Sequence, residues 1–125
     1  MVHAILVIAG GALGSLCRYL VGLATLRAFG PGWPVGTFAV NVAGSFLIGL
    51  LSELILRRFG GSVELRLLLI TGFLGGFTTF SAFSLDAVSL YDRASMLGAA
   101  VYVMASVGLS LAALLGGLAL GRAIG

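Results

Sequence analysis

Six polar side chains fall into two ladders. Thr37, Asn41 and Ser45 recur every four residues, and so do Tyr102, Ser106 and Ser110. Spacing of i, i+4, i+8 places each trio along one face of a helix. The groups are hydroxyls and one amide, which donate hydrogen bonds without carrying a full charge. Between membrane helices such groups serve as hydrogen-bonding glue. Aligned along a path, they can instead replace part of the hydration shell of a small anion, binding it strongly enough for entry and weakly enough for exit. A fixed cation on that path would hold the anion more strongly and slow its release. Both uses stay open from the ladders alone, although Asn41 is the costliest of the six to bury without purpose.

The stretch 72–84 reads GFLGGFTTFSAFS. Gly75, Gly76 and the pair Thr78, Thr79 lower helix propensity in the middle of an apolar run. A helix broken there frees carbonyls and amides that protein, water or an ion must satisfy. Carbonyls ending a first half-helix attract a cation, and amides starting a second favour an anion. If two chains meet antiparallel at the break, carbonyls of both could surround one metal ion, and oxygen-only ligands suit a hard cation. The competing use of the glycines is close helix packing. Phe80 and Phe83 are three apart and share a face. Rings turned edge-on present a positive rim that can contact a small anion, whereas the ordinary role of Phe is packing.

The elements that must position these groups follow from composition. The chain has 125 residues, 60% hydrophobic and 9% charged, with a mean hydropathy of +1.20. A soluble domain carries about 25% charged residues, so this chain cannot cover a water-facing surface. Apolar runs of roughly 20 residues are long enough to span a bilayer. Four such runs are expected, at 2–26, 35–56, 65–90 and 94–120, with the break in the third. The separators RAFGPGWP, RRFGGSVE and YDR carry turn and charge signals. The expected fold is an all-α membrane protein, one four-helix domain over 1–125, with its function inside the membrane. A cleaved signal peptide is not expected at the start, because Arg18 interrupts the first run and no basic region precedes it. Pairs Gly10 and Gly14, Gly72 and Gly76, Gly117 and Gly121 mark tight helix contacts. A lone bundle this small has no room for a water-filled path, so an oligomer is expected.

Charge narrows the function classes. All seven basic residues are Arg, spread along the chain without a basic cluster, which leaves no nucleic-acid footprint. With four spans, Arg57, Arg58, Arg66 and Arg122 share one side, against Arg27 and Arg93, with Arg18 undecided. So weak a positive-inside bias allows insertion both ways, and two opposed copies would then form the two-chain equivalent of an inverted repeat. A single orientation with an ordinary bias fits the charges as well. Arg18 either lines an aqueous vestibule or snorkels to the headgroups. Glu53 and Asp86 fall towards helix ends, and the absence of a mid-span acid argues against a proton-coupled cation exporter. Dual-topology drug exporters need an acid in the first span, where this chain has only Arg18. A purely structural subunit would not need two polar ladders. No enzyme is indicated: His3 is the only histidine, no nucleophile has a base partner, and AGGALG at 9–14 lacks the first Gly of a dinucleotide fingerprint. Cys17, the only cysteine, allows no intrachain disulfide.

Taken together, GGALGSLCRYL, GTFAVNVAGSFLIG, GFLGGFTTFSAFS and the Tyr102, Ser106, Ser110 ladder resemble the Fluc, or CrcB, family of fluoride channels over essentially the whole chain. The resemblance implies a dual-topology homodimer in a prokaryotic cell (inner) membrane, with two fluoride pores. It implies that Phe80 and Phe83 meet the ion with their ring edges, that Asn41 is the pore asparagine, and that Tyr102, Ser106 and Ser110 form a polar track. Arg18 and Thr37 would lie at the vestibule or pore entrance. It further implies a structural sodium ion at the dimer centre, held by backbone carbonyls of Gly75 and Thr78 from both chains. The implied role is passive fluoride export. Two positions depart from the family pattern, Ala82 where Thr is common and Asp86 where Glu is common.

Overall fold

The computed structural model describes residues 1–125 and is built of helices alone, without strands. Four stretches are long and apolar enough to cross a membrane. Helix α1, Val2–Phe29, ends at Gly30. Gly30 takes φ +73°, a conformation open to glycine, and its N–H caps the Leu26 carbonyl at 2.8 Å. Helix α2, Val35–Arg58, is stopped by Gly60 and Gly61, both with positive φ.

The third span, Val63–Arg93, is discontinuous. Ser62 starts it by accepting the Leu65 N–H at 3.3 Å. Its first half, α3 (residues 63–77), opens with Val63–Leu65, continues as Arg66–Leu74 in wide i→i+5 turns, and closes with Gly75–Phe77. Such wide turns are rare and concentrate at functional sites. Thr78 and Thr79 are then extended, at φ −89°, ψ 158° and φ −155°, ψ 120°. The second half, α4 (Phe80–Arg93), restarts with Thr79 as its cap. Helix α5, Met96–Ile124, follows, capped by Ser95.

The break therefore lies at the threonine pair. Of the four residues expected to weaken the helix, the threonine pair opens it and the glycines do not: Gly75 keeps helical dihedrals, φ −63° and ψ −36°. The glycines serve contact instead. A Cβ on Gly76 would stand 2.5 Å from the Gly11 carbonyl oxygen.

Packing pairs α1 with α3 and α2 with α5. In lipid no hydrophobic force drives helices together, so close backbone approach through small residues supplies the contact. Gly10 and Gly14 lie against the Leu68 and Phe73 carbonyls, and Gly117 against that of Phe46, with no space for a methyl group. The expected small-residue pairs are thus spent inside one chain and do not mark a surface for a second copy. Val40, Ile55, Leu74, Leu90 and Tyr102 are fully buried, while large apolar side chains cover the outside, as suits a chain whose solvent is hydrocarbon.

Candidate functional site

The break needs partners for its backbone, and one side chain supplies two of them. Asn41 on α2 accepts the Thr79 N–H through Oδ1 at 2.7 Å and donates through Nδ2 to the Thr79 carbonyl at 2.9 Å. These bonds substitute for ladder bonds that the extended backbone cannot make. Thr79 Oγ1 in turn accepts the Ala82 N–H at 3.1 Å, capping α4. Thr78 Oγ1 turns back to the Leu74 carbonyl at 2.8 Å. From α1, the Arg18 Nε donates to the Gly76 carbonyl at 3.1 Å. A guanidinium there also complements the negative end of the first half-helix.

Beside the clasp runs a groove of about 260 Å³. Asn41 and Ser45 of α2, Thr78 and Thr79 of the break, Phe80 and Phe83 of α4, and Ser106 and Ser110 of α5 line it, with Ile48 and Val107. Four of the six ladder residues and the phenylalanine pair, far apart in sequence, thus share one groove. Four expected residues stand outside that lining: Arg18, Thr37, Gly75 and Tyr102. Thr37 sits in two further grooves, of about 310 and 490 Å³, and donates to Asp86 at 2.6 Å. Tyr102 lies fully buried behind Phe83. Arg18 shares the larger groove with Thr37.

The aromatic rings form a chain. Phe80 and Phe83 have centroids 5.6 Å apart, and Phe83 and Tyr102 5.4 Å. The two phenylalanines share a face but differ in surroundings: Phe83 is 8% exposed and Phe80 78%. The hydroxyls of Tyr102 and Ser106 are buried and have no hydrogen-bond partner in the chain. Unmade hydrogen bonds of that kind are expensive; of the two residues, Ser106 lines the groove and Tyr102 lies behind it. From sequence Thr79 reads only as half of a helix-weakening pair, not as a cap or a groove residue. Its signal is a threonine three residues before Ala82 at the start of an apolar stretch, the pattern of a helix cap.

At the end of the molecule that carries the termini, Glu53 accepts from Arg57 at 2.9 Å and from Arg122 at 3.0 Å. Arg58 donates to the Ile124 carbonyl. These contacts lie away from the groove, and those of Arg122 and Arg58 tie α2 to α5.

The family model described as "CrcB-like protein, Camphor Resistance (CrcB)" matches residues 5–118. The chain belongs to the CrcB family. Curated CrcB relatives named "Fluoride-specific ion channel FluC" match it along nearly its whole length. The relative from Rhizobium leguminosarum bv. trifolii is 64% identical over 124 residues, 99% of each chain. That from Agrobacterium fabrum is 58% identical over 98% of each chain, and that from Chelativorans sp. 54% over 99%. With its four apolar helices, this CrcB chain is a multi-pass protein of a bacterial membrane.

Proposed function

We propose that this CrcB protein is a fluoride-selective channel that lets the ion leave the cell passively. It is not an enzyme; the relatives' shared name is that of an ion channel. The observation that carries the proposal is the groove at the break, where neutral donors from both ladders meet the phenylalanine pair next to two buried, unpartnered hydroxyls. Neutral donors match a small, strongly hydrated anion without trapping it. Asn41, Ser106 and Ser110 would strip water from fluoride, Tyr102 would extend the track, and Phe80 and Phe83 would offer ring edges. Arg18 and Thr37 would form the entrance. No acid lies in this groove, in keeping with passive flow. A potential negative inside works on each exported anion by about 2.3 kcal/mol per 100 mV, which gives export its direction.

The working unit we propose is an antiparallel homodimer with two pores. Its support is the exposed side of the break. Gly75, Phe80 and Ser81 are exposed there in the single chain. The N–H that would reach the Gly75 carbonyl, that of Thr79, is engaged by Asn41. An unpaired carbonyl facing hydrocarbon costs several kcal/mol, so a second copy is the economical cover. Gly75 and Thr78 carbonyls from both copies would hold a structural sodium. Their donor chemistry fits a hard cation, and no cluster of His, Cys, Asp or Glu competes for a softer metal. The ion would neutralise the facing carbonyl dipoles and lock the two breaks together.

The test is efflux from liposomes containing the purified protein, read with a fluoride electrode and a matched chloride control. Rapid fluoride loss with little chloride loss is expected. No fluoride loss from a folded dimer would overturn the proposal.

A further inference from the structure

Trp33 is the only tryptophan. It sits in the loop between α1 and α2, outside the groove just described, and that loop has little freedom. At one end Gly30 is pinned to Leu26. At the other, Pro34 adopts φ −78°, ψ 62°, and the Val35 N–H reaches the Trp33 carbonyl at 2.8 Å. Those dihedrals and that bond are an inverse γ-turn, with the proline ring fixing φ. The turn aims the indole inward. It meets Tyr102 edge to face, with centroids 5.6 Å apart and planes at 79°.

Tyr102 is consequently wedged between two rings, Phe83 on the groove side and Trp33 on the loop side. It is 0% exposed, yet its hydroxyl has no partner. Ser106, one turn further on α5, is its polar neighbour, but no hydrogen bond of normal geometry fixes where that hydroxyl points, so the flanking rings set the ring's position. Trp33 itself is 42% exposed and lines the outer groove of about 310 Å³ with Thr37, Asp86 and Arg93. Without the indole, that groove would extend to the Tyr102 ring and give it space to turn away from the face it shares with Ser106.

We infer that Trp33 is a positioning residue for conduction: its edge-to-face contact holds the Tyr102 ring so that the hydroxyl stays in the polar track. The inference rests on the proposed fluoride path through Tyr102. Trp33 need not touch the ion, and its effect must pass through one oxygen atom. That requirement separates it from a general packing role.

The experiment is a double-mutant cycle on fluoride efflux from liposomes, with Trp33→Ala, Tyr102→Phe and the double variant of the full chain. Phe at 102 keeps the ring and removes only the hydroxyl. Trp33→Ala alone should slow fluoride about three- to tenfold, the size expected for losing one aromatic edge contact. The double variant should be no slower than Tyr102→Phe, because no hydroxyl remains to be held. Trp33→Phe, which keeps a ring edge, should recover most of the rate. If Trp33→Ala does not fold, Trp33→Leu fills the volume without an aromatic edge and takes its place in the cycle. Losses that multiply in the double variant, or wild-type efflux from a folded Trp33→Ala or Trp33→Leu, overturn the role of Trp33 alone. Wild-type efflux from Tyr102→Phe overturns the path through Tyr102, and the inference with it.

Discussion

Asn41 combines two tasks that are usually separate. Its amide lines the groove and also closes both backbone groups of Thr79. Replacing it by Ala leaves a donor and an acceptor unmet, each at about 1–3 kcal/mol. Asn41→Asp keeps the acceptor for the Thr79 N–H, loses the donor, and brings negative charge to an anion path. We predict that Asn41→Ala lowers thermal stability, whereas Asn41→Asp abolishes fluoride efflux even in preparations that remain dimeric. Unchanged fluoride efflux in Asn41→Asp would remove Asn41 from the path. Phe80 and Phe83 allow a cleaner test, because their surroundings differ. Phe83→Ile alters a buried contact with Tyr102, while Phe80→Ile changes a ring that touches little else in its own chain. Loss of about tenfold or more in efflux, the effect of about 1.4 kcal/mol on a barrier, is expected for both. Only Phe83→Ile should also shift the melting temperature. Wild-type efflux from both would leave the rings as packing.

At the scale of elements, glycine decides which helices can touch. A methyl group on Gly14 would collide with the Phe73 carbonyl, and one on Gly117 with that of Phe46, whereas Gly116 has open space around it. Gly14→Ala and Gly117→Ala should each destabilise the fold by about 1–3 kcal/mol through overpacking. Gly116→Ala should be neutral or gain a few tenths from helix propensity. Unfolding in detergent, followed by circular dichroism, would separate the three, and equal stabilities would refute backbone contact as the binding force. Much of this level was legible in the sequence. Apolar runs gave the four spans, and the spacing of Gly10, Gly14, Gly117 and Gly121 gave the contacts. The same spacing did not say whether the partner lay in the same chain, since a small-residue face looks alike in both cases. Nor did it say which of Gly75, Gly76, Thr78 and Thr79 would open the helix; the threonines do. Glycine lowers helix propensity without forbidding helix, and the balance was tipped by Asn41, thirty-eight residues away. The i→i+5 turns of Arg66–Leu74 left no trace in hydropathy, because widening a turn changes hydrogen-bond partners and not the apolar character of the residues.

For the whole molecule, the charges and the break point to one arrangement. Arg18 is engaged inside the span with Gly76, so it does not count towards either loop. Four arginines then stand on the side of the termini against Arg27 and Arg93 on the other. Glu53 pairs with two of the four and offsets one of their charges, but acids contribute little to insertion, so the bias remains small and positive. A chain so balanced can be tipped. Phe59 and Val63 are exposed at the ends of the connection on the termini side, and Ala28 and Ala94 are exposed on the opposite side. The variant Phe59→Lys with Val63→Lys should insert mainly one way, and Ala28→Lys with Ala94→Lys the other. If the channel is an antiparallel dimer, cells making either variant alone should export fluoride poorly and be sensitive to it. Cells making both should recover, since opposite copies are again available to cover each other's break. A parallel dimer and a monomeric channel both predict full resistance from either variant alone, with no loss for co-expression to recover. Recovery on co-expression only is therefore the result that ties the weak charge bias to the exposed backbone at Gly75.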